Sequence, residues 1–141
     1  MPKARCEIEF AIRLGDEPGV LGQLLSIVAK HSINVLAYCA YSDRQEGILL
    51  LVTDNPLKTQ EALTAAGYNC RINSVVLVGA TDHVGSAAYV GTRLGIAGVN
   101  ILYSYASSAG GDQFYAVFKT NDDVRAVSIL DADRHNASQA A

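Results

Sequence analysis

Cysteine, basic charge and long apolar runs are all scarce in this chain, and each shortage removes a class of function. Cys6, Cys39 and Cys70 are odd in number, widely spaced and form no Cys-x-x-Cys pair, so neither a disulfide framework nor a zinc site is expected. They read as small core side chains in strands. Fourteen acidic against eleven basic residues leave a formal charge of −3, and no basic stripe interleaved with aromatics is present to follow phosphates, so nucleic acid is not an expected partner. No apolar run is long enough to span a membrane. Charges interrupt the apolar residues of Met1-Pro2-Lys3-Ala4-Arg5-Cys6-Glu7-Ile8-Glu9, unlike a signal peptide, and a reducing cytoplasm is the expected location.

Enzyme signatures are missing too. His31, His83 and His135 fall at a helix end, in a loop and in the tail, with none at metal-pair spacing. No Ser-His-acid arrangement, Walker-type phosphate loop or glycine fingerprint after a strand is legible. Gly91-x-x-x-Gly95-x-x-Gly98 lies within and after a predicted helix, where close packing explains the glycines better than a nucleotide. Asn136-Ala137-Ser138 matches a glycosylation acceptor, which carries no weight without a secretory signal. No catalytic residue, metal or cofactor is expected.

What the chain does have is a repeat. Asp16-Glu17-Pro18-Gly19 followed by Ile33-Asn34-Val35 returns as Asp82-His83-Val84-Gly85 followed by Val99-Asn100-Ile101, always 66 residues later, and Asn55 and Asn121 keep the same offset. This spacing predicts duplication of one unit without an internal insertion. Each unit is too short to bury much apolar surface alone, so the two are expected to pack together.

Cys6 to Leu14 alternates, with Cys6, Ile8, Phe10, Ile12 and Leu14 on one face and Glu7, Glu9, Ala11 and Arg13 on the other, which predicts a strand with one buried face. Leu21, Leu24, Leu25 and Val28 then form the stripe of an amphipathic helix ending near His31. Residues 34–42 predict a second strand, 43–47 a polar turn, and Ile48-Leu49-Leu50-Leu51-Val52 a third, central strand. Asn55 as N-cap, Pro56 at the first helical position and Gly67 at the end frame a second helix, and a short strand through Cys70 and Ile72 completes the unit. The second copy repeats the order through a helix after Asn121, opened by Asp122 and Asp123 and packed through Val124, Val127 and Leu130. The expected fold is therefore α+β: two ferredoxin-like βαββαβ repeats, antiparallel sheets with helices on one face, the second repeat lacking its last strand. The expected boundaries are 1–73 for the first domain and 74–131 for the second, with 132–141 a flexible, polar, alanine-rich tail. Val75-Val76-Leu77-Val78 is apolar throughout, so its outer face should be covered by the partner repeat or, preferentially, by a second chain.

The strand-to-helix loops are where a ligand would sit. Gly19 and Gly85 stand at helix N-termini, where unpaired N–H groups and the helix dipole suit an anion such as a carboxylate. Asp16 and Asp82 either cap those helices or accept hydrogen bonds from a ligand ammonium. Asn34 and Asn100 either cap the helix-to-strand turn or offer their amides to a polar ligand. Within one βαβ crossover these loops and asparagines lie at opposite ends of the sheet, separated by roughly 17 Å for a strand of about five residues. A pseudo-two-fold axis would instead pair Asp16 and Gly19 with Asn100, and Asp82 and Gly85 with Asn34.

Arg13-Leu14-Gly15-Asp16-Glu17-Pro18-Gly19-Val20-Leu21, coupled to Ile33-Asn34-Val35, resembles the Asp-x-Pro-Gly-x-Leu loop of the ACT domain family, and the resemblance covers nearly the whole chain as two copies. It implies small regulatory modules that bind amino acids between paired domains, through Asp16, Glu17, Pro18, Gly19, Val20, Leu21, Asn34 and Val35. The corresponding residues of copy two are Asp82, His83, Val84, Gly85, Ser86, Asn100 and Ile101. Copy two departs from the pattern, because Val84 replaces the proline and Ser86 and Ala87 replace Val20 and Leu21. The functional expectation is a non-catalytic sensor, a homodimer that binds a free amino acid and regulates amino-acid metabolism through an enzyme or regulator. The alternative is a regulatory subunit docking to a biosynthetic enzyme such as acetolactate synthase.

Overall fold

The computed structural model describes residues 3–108 and 110–140, with side chains described in residues 3–108 and 110–132. His135, the Asn136-Ala137-Ser138 sequence and Ala141 lie outside the described side chains. The chain forms six strands and four helices: β1 (Lys3–Gly15), α1 (Val20–Lys30), β2 (Val35–Asp43), β3 (Glu46–Thr53), α2 (Pro56–Ala65), β4 (Cys70–Thr81), α3 (Ser86–Ile96), β5 (Ile101–Ser108), β6 (Gln113–Thr120) and α4 (Asp123–Ala140). Two compact units emerge. One is Ile8–Asn73; the other joins the residues up to Glu7 to those from Ser74 onward. The division falls inside β1 and inside β4.

In the unit from Ile8 to Asn73, β3 pairs antiparallel with both β1 and β2, the central place its two apolar faces predict. Phe10 and Ile12 sit opposite Leu51 and Leu49, and these four pack with Leu24 and Val28 of α1, Ile33, and Ala62 and Leu63 of α2. Cys70 and Tyr68 pack against the same core. Asn55 accepts the Lys58 N–H at 3.1 Å, with Pro56 opening α2 and Gly67 beyond its end at φ +91°, so both ends follow their sequence signals. Glu9 does not: expected on a polar outer face, it is buried and accepts the Asn73 Nδ2 at 3.2 Å.

In the other unit, no strand follows α4 among the described residues. Here β6 pairs with β4 and β5, while Lys3–Glu7 of β1 occupies the position beside β4. Ala4 is buried in one core with Val76, Val78 and Ala80 of β4, Val90 and Leu94 of α3, and Ala126 and Leu130 of α4. The other alternate residues, Lys3, Arg5 and Glu7, belong to the opposite sheet face. Cys6 is exposed, contrary to the expectation of a core cysteine. Val75, Val76 and Val78 are fully buried and Leu77 nearly so within this single chain, so their covering needs no second chain. α4 runs on to Ala140, ten residues past Leu130, where the sequence suggested a frayed tail.

The 66-residue offset is not constant. β5 begins 66 residues after β2 (101 − 35), but β6 begins 67 after β3 (113 − 46). The extra residue lies in the second hairpin. In the first hairpin Arg44 and Gln45 take positive φ, 50° and 67°, between paired Asp43 and Glu46. The longer second turn uses Gly110 and Gly111. The asparagines 55 and 121 are consequently not equivalent. Asn55 caps α2, whereas Asp122 caps α4 by accepting the Arg125 N–H at 3.1 Å.

Gly91 and Gly95 give a second correction: a Cβ at either would meet nothing within 4 Å, so close packing does not account for them. Gly98, at φ +77°, is needed for the turn out of α3.

Asp123 ties this unit together. Its carboxylate accepts the Thr120 N–H at 3.0 Å, the Thr120 hydroxyl at 2.6 Å and the Lys119 ammonium at 2.9 Å. Burial pushes its pKa up, but hydrogen bonds from Thr120, Lys119 and Ser74 outweigh this and hold it below its ordinary 3.8. The stability it contributes is present above that value and is lost as pH falls through the lower folded value. Asp123→Asn is expected to cost about 1–3 kcal/mol near neutral pH. In denaturant unfolding, its gap to the parent chain should narrow below pH 3.8. Ala4→Asp places a charge in the core of the same unit and is expected to cost at least about 3 kcal/mol in the same measurement.

Candidate functional site

The β1–α1 loop is built as its sequence suggests. Gly15 ends β1, and Gly19 at φ +90° turns the chain into α1, a left-handed conformation in which a side chain would be strained. No side chain caps α1 and no acid stands in its first turn. Asp16, Glu17 and Pro18 are exposed beside the uncapped end, while Val20 and Leu21 are half-buried, Leu21 against the unit's core.

The β4–α3 loop has the same backbone, with Gly85 at φ +94° and again no side-chain cap or first-turn acid. Its side chains act differently. Ser86 donates its hydroxyl to the Thr81 carbonyl at 2.5 Å, accepts the His83 N–H at 3.2 Å and lies 3.1 Å from His83 Nδ1. These bonds brace the loop without the proline present in the first copy. Asp82 caps nothing; its carboxylate accepts the Ser108 hydroxyl, and its N–H donates to the Asp112 carbonyl at 2.7 Å. Both contacts tie the loop to the β5–β6 hairpin.

A cavity of about 370 Å³ opens at this second loop. His83, Val84, Gly85 and Ser86 line it, as expected of ligand residues, together with Ala80, Thr81 and Tyr89. Tyr89 was not anticipated, yet the signal was present: it stands four residues after Gly85, one helical turn on and over the same end of α3. Ile101 is half-buried against the core of its unit, and Val35 likewise in the other. Pro18 had made the first loop conform better to the ligand-binding pattern, but the cavity described here belongs to the second.

Asn34 and Asn100 are exposed and hold equivalent turns. The Asn34 N–H donates to the Asp54 carboxylate at 3.0 Å, and the Asp54 N–H returns a bond to the Asn34 carbonyl at 3.0 Å. Asn100 makes the same reciprocal pair with Asn121, at 2.9 and 3.0 Å. Each asparagine lies past the far end of its own helix, α1 or α3, and eleven residues of helix span roughly 16 Å. Within each unit the loop and the asparagine therefore do not meet on one small ligand. Among the described residues no three His, Cys, Asp or Glu side chains are grouped to hold a metal, and no helix is long and apolar enough to cross a membrane.

The chain matches the family model of the ACT domain pair over residues 8–137. Among solved structures, it is similar to a protein from Bacteroides thetaiotaomicron, with a TM-score of 0.84 and 24% identity over 94% of this chain and 91% of that one. It is also similar to the ligand-free regulatory subunit of aspartate kinase from Thermus thermophilus, with a TM-score of 0.68 and 13% identity over 93% and 95%. Aspartokinase alpha and beta subunits follow, with a TM-score of 0.62 and 22% identity over 90% and 93%. At such identities the likeness is one of fold. No match is found among curated proteins.

Ser86→Ala removes the hydroxyl that braces the second loop. The expected cost is about 1–2 kcal/mol, with faster amide exchange at His83 and little change in α1. Native-state hydrogen exchange measures both.

Proposed function

Because the chain belongs to the family of ACT domain pairs, we propose that it is a non-catalytic sensor that binds a free amino acid and regulates amino-acid metabolism through a partner. The observation that carries this reading is the doubled, uncapped helix N-terminus. α1 and α3 both open after a left-handed glycine, with no side-chain cap and no acid in the first turn. Such an end favours a carboxylate through its unpaired N–H groups and the helix dipole. Asp16 stands beside the first end to take an ammonium. At the second end, the walls formed by Val84 and Tyr89 suit an apolar ligand side chain.

The asparagines set the second part of the proposal. Since Asn34 and Asn100 stand a helix length from their own loops, a ligand held by a loop and an asparagine must draw them from two different ACT units. Such a ligand favours one arrangement of ACT units over others by binding it more tightly, and that difference is the regulatory output. The proposed form in solution is a homodimer.

A thermal-shift panel of the twenty amino acids at millimolar concentration is expected to raise the melting temperature with one ligand or a few. Asn34→Ala and Asn100→Ala should then weaken different sites, read as two distinct losses by calorimetry. No shift with any amino acid overturns the sensor reading. Equal loss at both sites from one substitution, with the fold intact, overturns the pairing.

A further inference from the structure

A second cavity, of about 330 Å³, lies on the sheet face opposite the buried Ala4 in the unit that Lys3–Glu7 completes. It differs in chemistry from the cavity at Gly85. Lys3 and Arg5, alternate residues of β1, line it together, and among the described lining residues there is no carboxylate, the nearby acid being Arg5's partner Glu7. Arg5 pairs through its Nε with Glu7 Oε1 at 2.7 Å, and its side chain stays 57% exposed. Residues at i and i+2 on a strand are about 7 Å apart, so the two cations share one wall.

The rest of the lining comes from β4 and β6 of the same sheet. Gly79 pairs with Tyr115, and a Cβ at Gly79 would come within 3.5 Å of the Tyr115 ring. The Tyr115 ring thus lies against Gly79 and fills the space over it, while its outer part stays open: Tyr115 is 47% exposed. Leu77 belongs to the same lining, and the paired Thr81 and Gln113 add a hydroxyl and an amide.

We infer that this cavity is a binding site for a small organic anion: one flat ring stacked on the exposed Tyr115 ring, with a carboxylate or phosphate held by Lys3 and Arg5. Arginine pairs with either anion through parallel N–H bonds, and the lysine adds a point charge. A cavity of this volume is at the small end of ligand sites and suits a single ring with one charged group. The site is independent of the amino-acid reading above, since it uses neither an uncapped helix end nor an asparagine. Thr81 also lines the cavity at Gly85, so it is left unaltered in the test.

The test titrates the full chain, with no tag ahead of Lys3, with benzoate and with phenyl phosphate. Inorganic phosphate and acetate serve as ring-free controls, and amide chemical shifts of β4 and β6 are followed. Both ring-bearing probes are expected to bind, and the controls at least about fivefold more weakly. The double variant Lys3→Ala/Arg5→Gln should weaken binding by about tenfold or more. Tyr115→Ala should weaken the ring-bearing probes to the level of the ring-free controls by removing the surface on which the ring stacks. Tyr115 is 47% exposed, so this variant is expected to keep its fold, checked by its melting temperature. Absence of binding by both probes overturns the site. So does binding that survives both the charge and the Tyr115 changes. Ring-free anions binding as tightly as the ring-bearing ones overturn the aromatic subsite.

Discussion

A β-strand apolar on both faces must be covered on both sides and paired along both edges. β4 from Val75 to Val78 is such a strand, and its own repeat supplies only one neighbour, β6. The chain meets the shortage with its first described residues, placing Lys3–Glu7 on the vacant edge. Ala4 enters the core with Val76 and Val78, and the short Ala4 side chain fits where β4, α3 and α4 converge. The candidate anion cavity depends on the same placement, because its two cations come from this strand and its ring from β6.

Most elements were legible because their signals are local. Alternation marks β1, an i, i+3, i+4 stripe marks α1, and the Asn55-Pro56 start with Gly67 beyond the end marks α2. The ownership of β1 was not legible. Its alternation runs unbroken from Cys6 to Leu14, and a period of two tells which side chains share a face without telling which strand lies alongside. The strand therefore reads as one element although its two ends serve different cores. Cys6 and Ile8, at the junction, are the apolar-face residues left exposed.

The inserted residue was not legible for a similar reason. It falls in a polar turn with no periodicity to disturb, and an asparagine happens to recur 66 residues on at Asn121. Only the pairing exposes the shift, since Asn34 bonds Asp54 while Asn100 bonds Asn121. At the candidate site, the glycine turns were readable from sequence and the side-chain roles were not. Ser86 stood out only as a departure from the first copy, yet its hydroxyl restrains the loop by three contacts. Asp82 read as either a helix cap or an acceptor for a ligand ammonium, and it is engaged with Ser108 of the β5–β6 hairpin.

Lending the first strand to the last unit also imposes an order on biosynthesis. Lys3–Glu7 leaves the ribosome early, but Val76 to Ala80 follows roughly 70 residues later, which is about 4–14 seconds at ordinary elongation rates. During that interval the segment has no partner for its free edge. Lys3, Arg5 and Glu7 put charge on every second position of it, the kind of protection that keeps an unpaired strand from joining the wrong neighbour. The long sequence separation between these strands also makes their pairing a slow step of folding, so the unit from Ser74 onward is finished only by a segment translated ahead of the whole other unit.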